Sequence, residues 1–371
     1  MATEYTGATL FDGMNLVPMG HIRVENGVVT GPGAADRVTL DGGYLLPGLL
    51  DLQVNGGGGL MVCGSTSVDD LRRICDVQAR LGATGILPTL ITDRPEATAA
   101  VIAAGVAAAR AQVPGFLGLH LEGPHLDPRR KGAHDAALIR PMTDADLAIL
   151  CQAARDLPLL MVTVAPESVS VAQISALRAA GAVVSLGHTD CTAQAAQGAI
   201  AAGAGCVTHL FNAMSQLGNR EPGLVGAALT GRAFCGLIAD GIHVAAEAVR
   251  IATAARPEGI FLVTDCMAAA GTEATEFRLG GRRILRREGR LTLEDGTLAG
   301  ADLTLPQAMR FMAERVGLPL ERVFAMATRI PADCLGRNDI GRLVPGARAD
   351  FVHLGPDLSL RGVWRAGKRI H

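Results

Sequence analysis

Short apolar runs recur through the middle of the chain, and several end on a carboxylate or an imidazole. They fall near residues 46–54, 85–90, 115–122, 159–165, 182–188, 205–210, 234–240 and 259–265. Unbroken apolar runs of this length suit strands buried on both faces. Helical stretches separate most of them. In residues 68–81, Leu71, Ile74, Cys75 and Val77 recur at helical spacing, and Thr143-Asp144-Ala145-Asp146 before an apolar run reads as a helix start. Strands alternating with helices predict a parallel sheet, and eight of them predict closure into a (β/α)8 TIM barrel. The two ends differ from the middle. Residues 21–29 alternate around Asn26-Gly27, a hairpin pattern, and alternation returns in 349–354 and 362–369. The expected architecture is therefore α/β: a barrel over residues 46–335, and a small β-sandwich domain assembled from both termini, residues 1–45 and 336–371. Chain ends often lie close together, which makes such a domain easy to form. The polar stretch after Asp265, with Gly280-Gly281 and Glu294-Asp295-Gly296, is expected to be a hairpin excursion before the last helices.

Composition narrows the partners. A chain of 371 residues with 49% hydrophobic and 19% charged residues has a core to fill and is not a disordered segment. A net charge of -2 offers no basic field for nucleic acid or anionic lipid, so neither is expected. The eight cysteines form no C-x-x-C pair and read as reduced thiols in the cytoplasm. No apolar run approaches the ~20 residues of a membrane span, and the N-terminus has no signal-peptide pattern. Lys131 and Lys368 are the only lysines, a bias ascribed to a GC-rich genome.

The chemistry lies at the strand ends. Apolar runs lead into Glu122, His188, His209 and Asp265. A catalytic metal commonly takes three ligands from His and carboxylate and leaves one position for water. A lone histidine at a strand end is more often a hydrogen-bonded structural residue, but three such residues at successive strand ends favour a metal. His120 shares a strand face with Glu122 and is an alternative ligand; His125 is an alternative or an outer partner. Asp265 is placed to move a proton between water and a leaving group, against the plainer role of capping the next segment. Cys266 points to the opposite face. Gln53 and Asn55 fill the positions where a second metal would want imidazoles, so one ion is expected. The glycine run 56–59 lacks phosphate-loop spacing and reads as a tight turn. Arg220, in a polar loop after His209, suits a phosphate, which guanidinium grips in a fork. His134 and His243 follow strands in glycine-hinged loops, as a hydroxyl contact and a carbonyl polariser.

His-Leu-Glu-Gly-Pro (120–124), Lys-Gly-Ala-His (131–134), Gly-His-Thr-Asp (187–190), Thr-His-Leu-Phe-Asn-Ala-Met (208–214), Arg-Glu-Pro-Gly-Leu (220–224), Asp-Gly-Ile-His-Val (240–244) and Leu-Val-Thr-Asp (262–265) occur in this order. Together they resemble the N-acetylglucosamine-6-phosphate deacetylases of the amidohydrolase superfamily, nearly end to end. The resemblance implies a homodimer that hydrolyses the acetamide of N-acetyl-D-glucosamine 6-phosphate to D-glucosamine 6-phosphate and acetate. It implies Glu122, His188 and His209 as ligands of one divalent ion, zinc first and Fe2+, Co2+ or Mn2+ next. Asp265 matches the general base and acid, His243 the carbonyl polariser and His134 a sugar-hydroxyl contact. Asn212, Ala213 and Arg220 match the phosphate-binding segment, to which the partner subunit contributes. Ala133, Leu298, Ala299 and Gly300 match substrate-lining positions. Three other readings stay open: the galacto epimer of the same substrate, an amidohydrolase acting on a cyclic amide or N-acyl amino acid, and a sugar-phosphate-binding regulator on a barrel that has lost its chemistry.

Overall fold

The computed structural model describes residues 2–371. Eight parallel strands occur in one sheet in chain order: β1 (Leu49–Val54), β2 (Ala83–Ile91), β3 (Leu119–Glu122), β4 (Leu160–Val164), β5 (Val183–Leu186), β6 (Ala204–Val207), β7 (Phe234–Leu237) and β8 (Ile260–Leu262). The first and last strands meet just past their ends. Asp265 N donates to the Gln53 carbonyl at 3.0 Å and Asn55 N to the Cys266 carbonyl at 2.9 Å, and a Val54–Cys266 bridge lies between them. The barrel closes at that seam. Nearly every residue of β1, β2, β3 and β4 is buried, since helices cover the outside and side chains fill the inside. That is why these strands read as solid apolar runs.

The helices begin where the polar pattern places them. In helix Val68–Arg80, Ser67 accepts from Asp70 N while Asp70 bonds back, and Leu71, Ile74 and Cys75 face the barrel. Thr143 and Asp146 make the same reciprocal cap on helix Asp144–Asp156. Each such cap is worth about 1 kcal/mol.

Both termini supply a two-sheet β unit. One sheet orders its strands Val28–Thr30, Ile22–Glu25, Thr3–Thr6, Asp36–Thr39. The other orders Lys368–Arg369, Leu360–Arg365, Phe351–Leu354, Tyr44–Pro47, Thr9–Phe11, Leu16–Val17. Between them Phe351 stacks on Trp364 at 4.8 Å, and Tyr5 sets its edge against both rings. The excursion after β8 is larger than a hairpin. It is a four-stranded antiparallel sheet (Glu276–Leu279, Arg282–Arg287, Arg290–Leu293, Leu298–Ala301) with its own small core of Met267, Leu279, Ile284, Leu291 and Ala299. We call it the lid sheet.

One layer beneath the strand ends the barrel interior is polar. His120, Thr163, Ser185 and Thr208 come from β3, β4, β5 and the residue after β6, and all are buried. They form a chain: His120 Nε2 to Thr163 Oγ1 at 2.7 Å, Thr163 Oγ1 to Thr208 Oγ1 at 2.7 Å, Thr208 Oγ1 to Ser185 Oγ at 2.6 Å. Its direction follows from one acceptor. His120 Nδ1 faces the Leu52 carbonyl at 3.1 Å, so Nδ1 carries the proton and Nε2 accepts from Thr163. Thr163 then accepts from Thr208, and Thr208 from Ser185. Burial holds the His120 pKa down to about 4, which keeps this ring neutral. Gly187 lets the hydroxyls approach, because a Cβ there would lie 2.9 Å from both Thr163 Cγ2 and Thr208 Cβ.

Candidate active site

Glu122 is the last residue of β3; His188, His209 and Asp265 follow the ends of β5, β6 and β8 by two or three residues. The latter three have φ of 48°, 30° and 51°. Left-handed backbone costs a non-glycine residue roughly 1–2 kcal/mol, and here it recurs at the mouth of one barrel. At each of these positions the chain turns sharply and leaves its side chain over the opening, which is how a strained turn serves a site.

The donor atoms converge. Glu122 Oε1 lies 3.2 Å from His188 Nε2 and 3.0 Å from His209 Nε2, and the two nitrogens are 3.1 Å apart. Burial raises the Glu122 pKa, but its contacts with His188 and His209 outweigh that and hold it well below the usual carboxylate range. His188 Nδ1 donates to the Arg130 carbonyl at 2.8 Å, so its Nε2 presents a lone pair. Glu122, His134 and His188 also bring ligand atoms within 4.8 Å of one another. Protonation separates the two sets. Thr92 N donates to His134 Nδ1 at 3.2 Å, which puts the His134 proton on Nε2. That nitrogen is a donor, 3.9 Å from Glu122 Oε2. Burial, then the neighbouring His188, pushes its pKa well down and keeps the ring neutral. Glu122, His188 and His209 crowd three potential ligand atoms around one point, an arrangement that fits a divalent cation, whereas His134 presents a donor and fits a hydroxyl.

Asp265 faces this group from the barrel seam. Burial and then the nearby Glu122 raise its pKa to about 6, and Gln53 and Asn55 donate to its Oδ1. His243 lies beyond β7 in a turn held by Asp240, whose Oδ1 accepts from the backbone of Ile242 and His243 at 2.8 Å each. Asp240 Oδ2 accepts from His243 Nδ1 at 2.6 Å, leaving Nε2 for the cavity. Burial lifts the Asp240 pKa, but the His243 contact more than reverses that and keeps it ionised.

Around these residues is a cavity of about 250 Å³. Ala133, His134, Asn212 and Ala213 line it from the barrel loops, and Leu298 and Gly300 from the lid sheet. Two residues expected here are not brought in. Ala299 alternates with its neighbours along the strand, so its side chain is wholly buried in the lid core. Arg220 is exposed on a projecting loop and is not part of the cavity wall. Nor does His120 serve as a ligand, because both its nitrogens are spent in the hydroxyl chain and on Leu52. His125 turns away to the Arg140 carbonyl. Cys266 lies on the other face, where its Sγ accepts from Gln78.

The amidohydrolase family profile matches residues 44–370. The chain belongs to the amidohydrolase family. It is 38% identical over 376 residues to an N-acetylgalactosamine-6-phosphate deacetylase of Shewanella sp. (strain ANA-3), covering 98% of this chain and 95% of the relative. It is 33% identical to an N-acetylglucosamine-6-phosphate deacetylase of Haemophilus influenzae, covering 89% and 87%. The crystal structure of N-acetylglucosamine-6-phosphate deacetylase from Pasteurella multocida superposes with a TM-score of 0.96 at 29% identity, over 100% of this chain and 99% of that one. Within this amidohydrolase, Ile91, Gly132, Ile238, Met267 and Thr297 also line the cavity. None was given a role from sequence, although Gly132 stood in the quoted Lys-Gly-Ala-His stretch. Asp240 stood in a quoted motif, but its grip on His243 needed the turn geometry to be visible.

Proposed function

We propose that this chain hydrolyses the acetamide of N-acetyl-D-glucosamine 6-phosphate, giving D-glucosamine 6-phosphate and acetate. The observation that carries the reading is the convergence of Glu122, His188 and His209 beside Asp265 in one cavity, in a chain similar over most of its length to an N-acetylgalactosamine-6-phosphate deacetylase and an N-acetylglucosamine-6-phosphate deacetylase. Glu122, His188 and His209 hold one divalent ion, zinc by donor preference, with Fe2+, Co2+ and Mn2+ as substitutes. Such an ion supplies an acidified water and polarises the acetyl carbonyl.

The chain's own groups do the rest. Asp265 removes a proton from the attacking water and delivers it to the departing amine. His243 aids the carbonyl oxygen from Nε2, with its ring held through Nδ1 by Asp240. His134, donating from Nε2, orients the sugar through a hydroxyl. Asn212, Ala213 and Arg220 take the phosphate, whose binding energy holds the amide in place. Since Arg220 stands outside the cavity wall, we assign it the outer phosphate oxygens, with completion of the site by the partner subunit of a homodimer. All eight cysteines are free, which suits a reducing cytoplasm, and no helix among the described residues is long and apolar enough to cross a membrane.

The 38% relative named for the galacto sugar supports a second reading, N-acetyl-D-galactosamine 6-phosphate. Acetate release from both sugar phosphates and from the unphosphorylated sugars tests both, with elemental analysis of protein purified without chelator. Faster release from the galacto sugar would replace the first substrate by the second. Equal rates without the phosphate, or protein without bound metal, would overturn both.

A further inference from the structure

Gln53 and Asn55 stand two residues apart where β1 ends, so both side chains enter the barrel. They are 2% and 1% exposed. Asn55 Nδ2 donates to Asp265 Oδ1 at 2.6 Å. Gln53 Nε2 lies 3.2 Å from that same oxygen and 3.2 Å from Glu122 Oε1. An ionised carboxylate only accepts, so the amide nitrogens must be the atoms that face it. The backbone repeats the tie, since Asp265 N donates to the Gln53 carbonyl and Asn55 N to the Cys266 carbonyl. The lid sheet adds a third hold: Ala301 N donates to the Asp265 carbonyl at 3.0 Å. Against these fixed points, Asp265 lines the cavity and its Oδ2 has no hydrogen-bond partner among the described residues.

We propose that Gln53 and Asn55 are positioning residues: they hold Asp265 Oδ1 and reserve Oδ2 as the one atom that carries the shuttled proton. The inference rests on Asp265 being that shuttle. A primary amide suits the task because it donates to a carboxylate yet neither gives up nor takes a proton near neutral pH. It orients the base without competing for what the base carries. An imidazole in either place would titrate, and it would offer a lone pair to a second cation. Gln53 has a further effect. Its single nitrogen bridges Asp265 and Glu122, so it holds two like charges at a fixed separation.

The test uses the metal-loaded enzyme and the variants Asn55→Leu and Gln53→Met, which keep volume and lose the donor. Wild type and Asp265→Asn are assayed first. Acetate release by the former and its loss in the latter secure the shuttle, whereas an inactive wild type would sink the proposed function itself. Given an active wild type, each variant is expected to lose roughly 10–100-fold in kcat, the usual scale for outer partners of a site. KM should stay within about twofold, and bound metal should remain at the wild-type content. The acid limb of kcat/KM should move to higher pH, because the lost donors favoured the ionised carboxylate. An unchanged kcat would overturn the inference. So would a loss that tracks loss of metal with the acid limb unmoved, since the amides would then serve the ligands and not the base. If Asn55→Leu does not fold, Asn55→Ala carries the same expectations.

Discussion

Replacing Thr163 by valine keeps the shape of a buried side chain and removes one hydroxyl from the middle of the polar chain inside the barrel. The hydroxyl sits between His120 Nε2 and Thr208 Oγ1, 2.7 Å from each. In the direction set by the Leu52 carbonyl, its loss strands an acceptor on His120 and a donor on Thr208, and neither reaches water. A stranded buried group costs about 1–3 kcal/mol, so Thr163→Val should cost about 2–6 kcal/mol. Ser185→Ala is the internal control. Ser185 is the terminal donor, so its removal takes one accepted bond from Thr208 and strands no donor; about 1 kcal/mol is expected. Urea unfolding of both variants, read at unchanged m, gives the two costs. If the variants cost the same, or if Thr163→Val costs below about 1 kcal/mol, the directed chain is wrong. Equal costs would put the His120 proton on Nε2 and make Thr208 the donor to Ser185, whereas a Thr163→Val cost below about 1 kcal/mol would mean that the hydroxyl chain contributes nothing in either direction.

Asp240→Asn should turn the pair with His243 around. The amide would donate to Nδ1 and leave a neutral Nε2–H, at a cost of about tenfold in kcat, against roughly 10²–10³-fold for His243→Ala; equal losses would mean that Asp240 does more than set the proton. Arg220→Ala should raise KM for the phosphorylated sugar about 10–100-fold, the equivalent of one charge-assisted contact, and leave that for the unphosphorylated sugar alone. A parallel rise for both would remove Arg220 from the phosphate site. The raised Asp265 pKa sets an acid limb: as a base it is lost as pH falls through about 6, with kcat/KM dropping tenfold per unit below that and a bound cation moving the limb lower. The same shift acts on stability with the opposite sign. Folding favours the protonated acid, so this contribution is present below the ordinary carboxylate pKa and is lost as pH rises through about 6. An acid limb centred above pH 7 would contradict the assignment.

The barrel was legible because burial on both faces leaves its strands as unbroken apolar runs, and because those runs end on Glu122, His188, His209 and Asp265. The lid sheet was not. Its strands, such as Arg282–Arg287, carry arginines on an exposed face and cover only a small core, so the pattern showed a polar excursion with turns and no more. Among site residues, strand alternation was available for Ala299 and would have turned it away. For His120, His134 and His188 the deciding fact is what lies against the other ring nitrogen: a carbonyl and a hydroxyl, a backbone N–H, a carbonyl. Those partners come from Leu52, Thr163, Thr92 and Arg130, and no periodicity in the chain announces them.

The seam between β1 and β8 gives the protein an internal check on its own assembly. Asn55 and Asp265 lie 210 positions apart in the chain and touch only where the barrel shuts. Contacts of such long sequence separation are costly to close, and high contact order slows folding. Asp265, proposed above to move the proton, therefore gains its donors only when closure is complete. A chain stalled one strand short would keep Glu122, His188 and His209 in place, able to take up metal yet unable to turn over. During refolding, metal uptake should precede activity, and the interval between them would time the closing of the ring.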